Sequence, residues 1–183
     1  KEWQADKIFV CNGSDFETLF PATYRKSGIT KCKLQMMRTV PQKDKWQIGT
    51  SVAGGLTLTH YGAFADCKSL DNLKKKFQDE MPEYVKYGIH VMVSQNGKYE
   101  FTLGDTHEYG LSQDPFDKQH LNNLVLNYLK TFVRIKDVRI AQTWNGIYAK
   151  LNGKSEFVDS PTEYTTIVNG LSGAGMTLSF GLA

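Results

Sequence analysis

The chain has 183 residues, of which 40% are hydrophobic and 22% charged, so it is long and apolar enough to bury a core. Its formal net charge of +3 is small and dispersed, which excludes an electrostatic argument for nucleic acid or an anionic membrane as a partner. No apolar run approaches the roughly 18 residues of a membrane helix. Three scattered cysteines favour neither a disulfide framework nor a metal knuckle, and they indicate a reducing, cytoplasmic location.

The first third of the sequence predicts mostly extended structure. A β-branched run predicts a short buried strand at residues 7–11, and a second strand is predicted at residues 31–40. Between them, residues 15–20 predict a brief helix that Pro21 closes. Alternation of leucine with threonine then predicts an extended segment within residues 46–61.

The middle of the chain predicts a surface helix followed by a hairpin. Apolar side chains at helical spacing predict an amphipathic helix over residues 70–77, on an otherwise charged segment. Residues 89–95 and 99–103 flank Asn96-Gly97, which is the strongest hairpin signal in the sequence. We therefore expect these two runs to pair as antiparallel strands.

The clearest helix signal follows the hairpin. Asp114 as N-cap and Pro115 at the first helical position predict a helix that extends to Phe132. Four of its side chains are expected to pack on the core: Leu121, Leu124, Val125 and Leu129. Three further strands are predicted at residues 138–150, 156–159 and 164–168.

This order of hairpins with two or three helices predicts an α+β fold with a mostly antiparallel or mixed sheet. The last strand runs into a glycine-rich turn at Asn169–Gly175, and Met176 begins a helical segment. A strand that feeds glycines and then a helix aims backbone N–H groups and a positive dipole at one point. The junction therefore predicts a site for an anion or a polarised carbonyl, with a merely tight turn as the alternative.

The histidines give no sign of a metal site. His60, His90, His107 and His120 lack metal-ligand spacing, so no metal is predicted. His60 and His90 fall in apolar segments read as extended, where a hydrogen-bonded core imidazole is the default expectation. The chain also lacks the Gly-x-Ser-x-Gly motif, which disfavours a serine hydrolase.

Five motifs occur together in a distinctive order along nearly the whole chain. They are Cys11-Asn12-Gly13, Gln35-Met36-Met37-Arg38-Thr39, Ile89-His90-Val91-Met92-Val93-Ser94-Gln95, Gly104-Asp105-Thr106 and Gly173-Ala174-Gly175-Met176-Thr177-Leu178-Ser179. Together they resemble the FAD-dependent amine oxidoreductases of the D-amino-acid oxidase and glycine oxidase group. Within that group, the likeness is to the branch often encoded beside phosphonate-degradation genes.

The resemblance implies a division of the chain and a set of cofactor contacts. Residues 1–30 would be a remnant of the FAD-binding domain, 31–145 a substrate-binding α+β domain, and 146–183 a C-terminal FAD-contacting segment. The implied FAD contacts are Cys11, Asn12, Gly13, Gln35, Met36, Gly146, Gly173, Ala174, Gly175 and Met176. The family's N-terminal half, with its Gly-x-Gly-x-x-Gly turn, is not in this sequence. We therefore expect a fragment that lacks FAD and activity by itself, with that half as its partner.

Departures from the family bear on the substrate. Relatives have Gly-Leu-Arg-Pro, whose Arg grips a carboxylate, where this chain has Gly146-Ile147-Tyr148-Ala149. His90 stands where relatives have a carboxylate-binding Tyr. We therefore expect His90, Tyr148 and His60 to face a small amine, with an aminophosphonate as one candidate, while no catalytic residue is assigned. The implied reaction is hydride transfer to FAD from a C–H bond next to nitrogen. The alternative is a non-catalytic α+β ligand-binding domain, in which His90 and Tyr148 fill the core.

Overall fold

The computed structural model describes residues 1–182, which form nine strands and six α-helices. The strands are β1 (Ile8–Val10), β2 (Thr30–Thr39), β3 (Val52–Ala53), β4 (Met92–Gln95), β5 (Phe101–Gly104), β6 (Glu108–Gly110), β7 (Ile140–Lys150), β8 (Phe157–Thr162) and β9 (Thr165–Asn169). The helices are α1 (Pro21–Ser27), α2 (Thr57–His60), α3 (Leu70–Glu80), α4 (Pro82–Lys86), α5 (Gln119–Leu129) and α6 (Gly175–Leu182). None of these helices is long and apolar enough to span a bilayer.

The first of two compact units contains residues 1–32, 109–113 and the described residues from 147 onward. Its three-stranded sheet has the order β1-β9-β8. Strand β1 runs parallel to β9, with Val10 opposite Ile167, whereas β8 is antiparallel to β9. The core of this unit gathers Val10, Phe16, Tyr24, Ile29, Ala149, Leu151 and Ile167.

The second unit contains residues 33–108 and 114–146. Most residues of the larger, six-stranded sheet belong to it; the strand order is β3-β4-β5-β2-β6, and β7 also pairs with β2. Helix α5 lays its apolar stripe on this core, because Leu121, Val125 and Leu129 recur at helical spacing. The main core cluster consists of Met37, Leu56, Ile89, Val91, Val93, Phe101, Leu103, Val125, Tyr128, Leu129 and Ile135.

The α+β class and several elements are confirmed. Strands β4 and β5 pair antiparallel, with Gln95 opposite Phe101, so the hairpin is confirmed. Its bounds differ, because β4 starts at Met92 rather than Ile89 and the loop spans residues 96–100. Helix α3 forms where the apolar spacing predicts it, and a separate helix begins at Pro82. The last strand leads through Gly170 to a helix that begins at Gly175.

One predicted helix is absent, and α5 is shorter than predicted at both ends, since it stops at Leu129 rather than Phe132. Residues 15–20 form no helix, because Asp15 Oδ1 accepts the N–H groups of Glu17 and Thr18 in a tight turn. The helix instead starts at Pro21, whose fixed φ suits a first helical position. Helix α5 begins at Gln119, five residues beyond Asp114.

Two strand predictions also need correction. Residues 46–61 are not one extended segment, because only Val52–Ala53 is a strand and Thr57–His60 is a helical turn. The buried Tyr128 hydroxyl accepts the Leu56 N–H at 3.0 Å, a tertiary contact that alternation cannot reveal. In β1, Ile8 is 51% and Phe9 66% exposed, so this strand is not buried as predicted.

Candidate functional site

Three histidines converge in the second unit. His60 ends α2, His90 lies two residues before β4, and His107 lies immediately before β6. Their rings pack together: the centroids of His60 and His90 are 3.8 Å apart, those of His60 and His107 4.6 Å, and those of His90 and His107 5.2 Å. His90 and His107 are 2% and 3% exposed, whereas His60 is half-buried. We refer to these three side chains as the histidine cluster.

A carboxylate accompanies the histidine cluster. Asp105 follows β5, and its Oδ1 lies 3.2 Å from His90 Nε2 while its Oδ2 lies 3.7 Å from His107 Nε2. Burial raises the pKa of Asp105 to about 7, because the charged form loses hydration. The Asp105 side chain therefore exchanges between acid and carboxylate near neutral pH.

The backbone around the cluster fixes the orientation of His107. The Nδ1–H of His107 donates to the carbonyl oxygen of Gly88 at 2.8 Å, because a carbonyl can only accept. Gly88 has φ +52, and a Cβ there would lie 3.0 Å from His107 Cβ. The contact therefore needs glycine at this position, and it leaves His107 Nε2 facing Asp105.

Tyr61 forms the outer side of the cluster. Its ring meets those of His60 and His90 edge-on, with centroids 5.1 and 5.4 Å away. Tyr61 is 43% exposed, so the cluster is approached from the side of His60 and Tyr61. Burial and the nearby charge of Asp105 raise the pKa of the Tyr61 phenol, which keeps it a neutral hydroxyl at neutral pH.

In the first unit, the ends of two parallel strands form a second polar site. Asn12 and Gly13 follow β1, and Asn169 ends the adjacent strand β9. The Asn169 amide donates to Gly13 O at 2.8 Å and to Asn12 Oδ1 at 3.2 Å. Asn12 Oδ1 also accepts the hydroxyl of Tyr24. Of the predicted cofactor contacts here, Asn12 is held by its neighbours, whereas Cys11 and Gly13 are exposed.

The predicted contacts at the C-terminal turn are on the surface of the same unit. Ser172–Ala174 form a turn of 3-10 helix that leads directly into α6. Gly173 and Ala174 are exposed, Gly175 is half-buried, and Met176 is 90% exposed. Their role toward FAD stays a prediction.

Gln35, by contrast, has a structural role within the second unit. Its Oε1 accepts the Lys118 N–H at 2.8 Å, and its Nε2 donates to Lys118 O at 3.1 Å and to Asn122 Oδ1 at 2.9 Å. These bonds hold the start of α5 against β2. Met36 packs its sulfur over Gly104, where a Cβ would lie 2.1 Å from Met36 Sδ. Gly146 has only ordinary contact with Leu34.

The three predicted substrate-side residues are divided between the two units. The structure brings His60 and His90 together in the second unit, and it places Tyr148 in β7 within the first. Sequence reasoning missed the participation of His107 and Asp105, because strand pairing rather than sequence spacing brings them to the cluster. Only the strand–turn position of Asp105, directly after Gly104, could have drawn attention to it.

Comparison with models of known protein families finds no family that matches the chain, and comparison with curated proteins likewise finds no match.

Proposed function

We propose that this chain supplies the substrate side and the C-terminal cofactor-contacting segment of an FAD-dependent oxidoreductase. The donor would be a small amine oxidised at a CH–NH or CH–NH2 group, with an aminophosphonate as one candidate. The segment with the Gly-x-Gly-x-x-Gly turn would be its partner in holding the cofactor, and the location would be cytoplasmic. The proposal rests on the family resemblance and on the arrangement of the first unit.

The observation that carries the proposal is the shared edge of the parallel strands β1 and β9. Gly13 follows one strand and Gly170 the other, with φ of +60 and +70. Ligands of α/β sheets bind outside the carboxyl ends of parallel strands, where glycine turns allow close approach. Here the bond from Asn169 to Gly13 O ties the two ends together.

Gly173 provides a test of whether the chain suits a bound cofactor. Its φ lies outside the left-handed region, and a Cβ added there would meet nothing within 4 Å. Neither backbone conformation nor packing among the described residues therefore requires glycine at this position. The space that a Cβ would fill at Gly173 is open, so a planar ligand such as a flavin has room to approach the backbone there.

FAD, when bound, supplies the acceptor for a hydride from the carbon next to the amine nitrogen. The N–H groups of Ser172–Ala174 stand at the start of the continuous helical segment that includes α6, at the positive end of its dipole. Placed against a group on which negative charge grows, such donors stabilise it without rearranging. His60 and His90 would offer ring N–H groups to the anionic part of the substrate.

Cofactor retention tests the proposal. We would express the intact gene product, purify it under mild conditions and measure bound flavin by its visible absorbance. Gly173→Val should weaken FAD binding roughly tenfold or more, because the side chain occupies the space that a ligand needs. Gly181→Val is the matched control, since a Cβ there also meets nothing within 4 Å. An intact product without flavin, or equal loss from both variants, would contradict the proposal.

A further inference from the structure

The histidine cluster has the spacing of a metal-ligand set. His60, His90 and His107 each offer one ring nitrogen, and these atoms lie within 4.8 Å of one another. Two nitrogens bound tetrahedrally to one Zn²⁺ at about 2.0–2.1 Å are themselves about 3.4 Å apart. An inward shift of less than about 1 Å for each nitrogen reaches this spacing. The rings must also turn, because His60 and His90 lie with their centroids 3.8 Å apart and their planes 31° apart, whereas ring nitrogens bind an ion in the ring plane.

Asp105 adds an oxygen donor to the three nitrogens. Its carboxylate lies 3.2 Å from the Nε2 atom of His90 and 3.7 Å from that of His107. The Oδ1 atom is buried and, among the described residues, makes no hydrogen bond of good geometry. Three imidazole nitrogens with one carboxylate are typical ligands of Zn²⁺ and its first-row neighbours, whereas Ca²⁺ and Mg²⁺ prefer oxygen alone.

The surroundings of His107 match those of a metal-ligating histidine. Ligating imidazoles usually donate their other N–H to a carbonyl or carboxylate, which fixes the tautomer and the ring orientation. The bond from His107 Nδ1 to Gly88 O does this, and it leaves Nε2 on the side of Asp105. The bond between His107 and Gly88 is present without an ion, so the orientation of the His107 ring is already set before a metal binds.

Simple core packing explains the histidine cluster less well. Ile89 and Val91, on either side of His90, are buried in the apolar core. A single core imidazole satisfied by hydrogen bonds is ordinary, but three imidazoles and a carboxylate gathered in one place carry a combined cost of lost hydration. An ion bound between them offsets that cost, because its charge interacts favourably with all four ligand atoms at short distance.

We propose that His60, His90 and His107 bind one divalent first-row transition-metal ion of the Zn²⁺ class, with Asp105 as the fourth ligand. The proposal goes beyond the oxidoreductase function, because all four residues belong to the second unit and need no flavin. Two of the four, His60 and His90, are also the proposed substrate-side residues. Zn²⁺ binding is nevertheless measured without flavin or amine, so the failure of this proposal is distinguishable from the failure of the flavin proposal.

The experiment uses the tag-free 183-residue chain, freed of metal by a chelator that is then removed. Its exposed Cys11 and Cys67 thiols are alkylated, since thiolates would bind zinc elsewhere. Titration calorimetry with Zn²⁺ should show one equivalent bound with a dissociation constant in the micromolar range or tighter. Zn²⁺ should also raise the melting temperature, because the ion binds the folded state.

Variants assign the binding to the cluster. His60→Gln removes the least buried of the three histidines and should weaken Zn²⁺ binding by about a hundredfold, with an unchanged far-ultraviolet circular dichroism spectrum. Asp105→Asn should weaken it by at least about tenfold. The matched control is His120→Gln, because His120 is exposed on α5 outside the cluster, and it should bind as the wild type does.

Two results would overturn the proposal. One is wild-type protein that shows no stoichiometric Zn²⁺ binding. The other is a folded His60→Gln variant that binds Zn²⁺ as tightly as the wild type, which would place the ion elsewhere. If a cluster variant fails to fold, the wild-type titration and a cobalt spectrum decide. A Co²⁺ complex with the strong visible bands of tetrahedral nitrogen and oxygen ligation supports the site, and weak octahedral bands contradict it.

Discussion

The side-chain amide of Asn169 donates a hydrogen bond of 2.8 Å to the backbone carbonyl of Gly13. The two residues belong to neighbouring parallel strand ends, far apart in sequence, so this one amide joins both turns on which the proposed cofactor edge depends. The Oδ1 atom of Asn169 completes the arrangement by accepting the N–H of Gly170 at 2.7 Å. Asn169 therefore fixes the local backbone on both sides of the edge.

We expect Asn169→Ala to lower the free energy of unfolding by about 2–4 kcal/mol. Asn169 is buried, and its loss leaves the Gly13 carbonyl and the Gly170 N–H without their side-chain partner. Urea unfolding followed by circular dichroism measures the change. Asn123→Ala, on the exposed face of α5, is the control and should change stability by less than about 0.5 kcal/mol.

Gln35→Ala should destabilise the protein by about 2–4 kcal/mol and loosen the start of α5. Three side-chain bonds from Gln35 hold Lys118 and Asn122, and alanine leaves these polar groups unmatched. Amide hydrogen exchange should become faster in the first turn of α5. Gln119→Ala, whose side chain bonds only the exposed Asn123, should leave exchange there nearly unchanged. If the first turn of α5 exchanged its amide hydrogens as slowly in Gln35→Ala as in the wild type, Gln35 would not hold the start of this helix.

Lys33→Met should cost about 2–3 kcal/mol although it replaces a charged side chain with an apolar one. Lys33 is buried, and its Nζ donates to the carbonyl oxygens of Asp114, at 2.6 Å, and Phe116. Methionine fills the space but leaves both carbonyls without a donor. Thermal unfolding measures the stability of Lys33→Met against that of the control variant Lys31→Met, in the same strand β2. Lys31 pairs with the exposed Glu17, so that variant should cost less than about 1 kcal/mol.

The elements predicted correctly from sequence are those whose signals are local. Asn96-Gly97 correctly marks the hairpin, although its loop spans residues 96–100 and places Tyr99 rather than Gly97 at positive φ. The apolar spacing of Leu121, Val125 and Leu129 specifies the buried face of α5. The start of α5 depends on a contact that is distant in sequence. Lys33 binds the carbonyl oxygens of Asp114 and Phe116, so these residues form no helical turn and α5 begins at Gln119. An N-cap motif in the sequence cannot show that a side chain of another strand, here Lys33 on β2, binds the carbonyl groups of the predicted first turn.

The histidine cluster could not be predicted from spacing. His60 ends a helical turn of four residues, which is too short for a periodic signal. His90 and His107 meet because their segments adjoin strands of one sheet, and neither position has a ligand motif around it. The α+β class follows from the order of elements, whereas the partners of each buried polar side chain depend on tertiary contacts.

Amine-dependent flavin reduction tests the central claim most directly. The intact gene product, carrying its own flavin, would be mixed without oxygen with small primary and secondary amines, with and without a phosphonate group. The account predicts that at least one amine bleaches the flavin absorbance stoichiometrically, and that aminophosphonates do so at lower concentration than the matching amines without the phosphonate. An intact product that binds no flavin, or a bound flavin that no amine of the panel reduces, would contradict it.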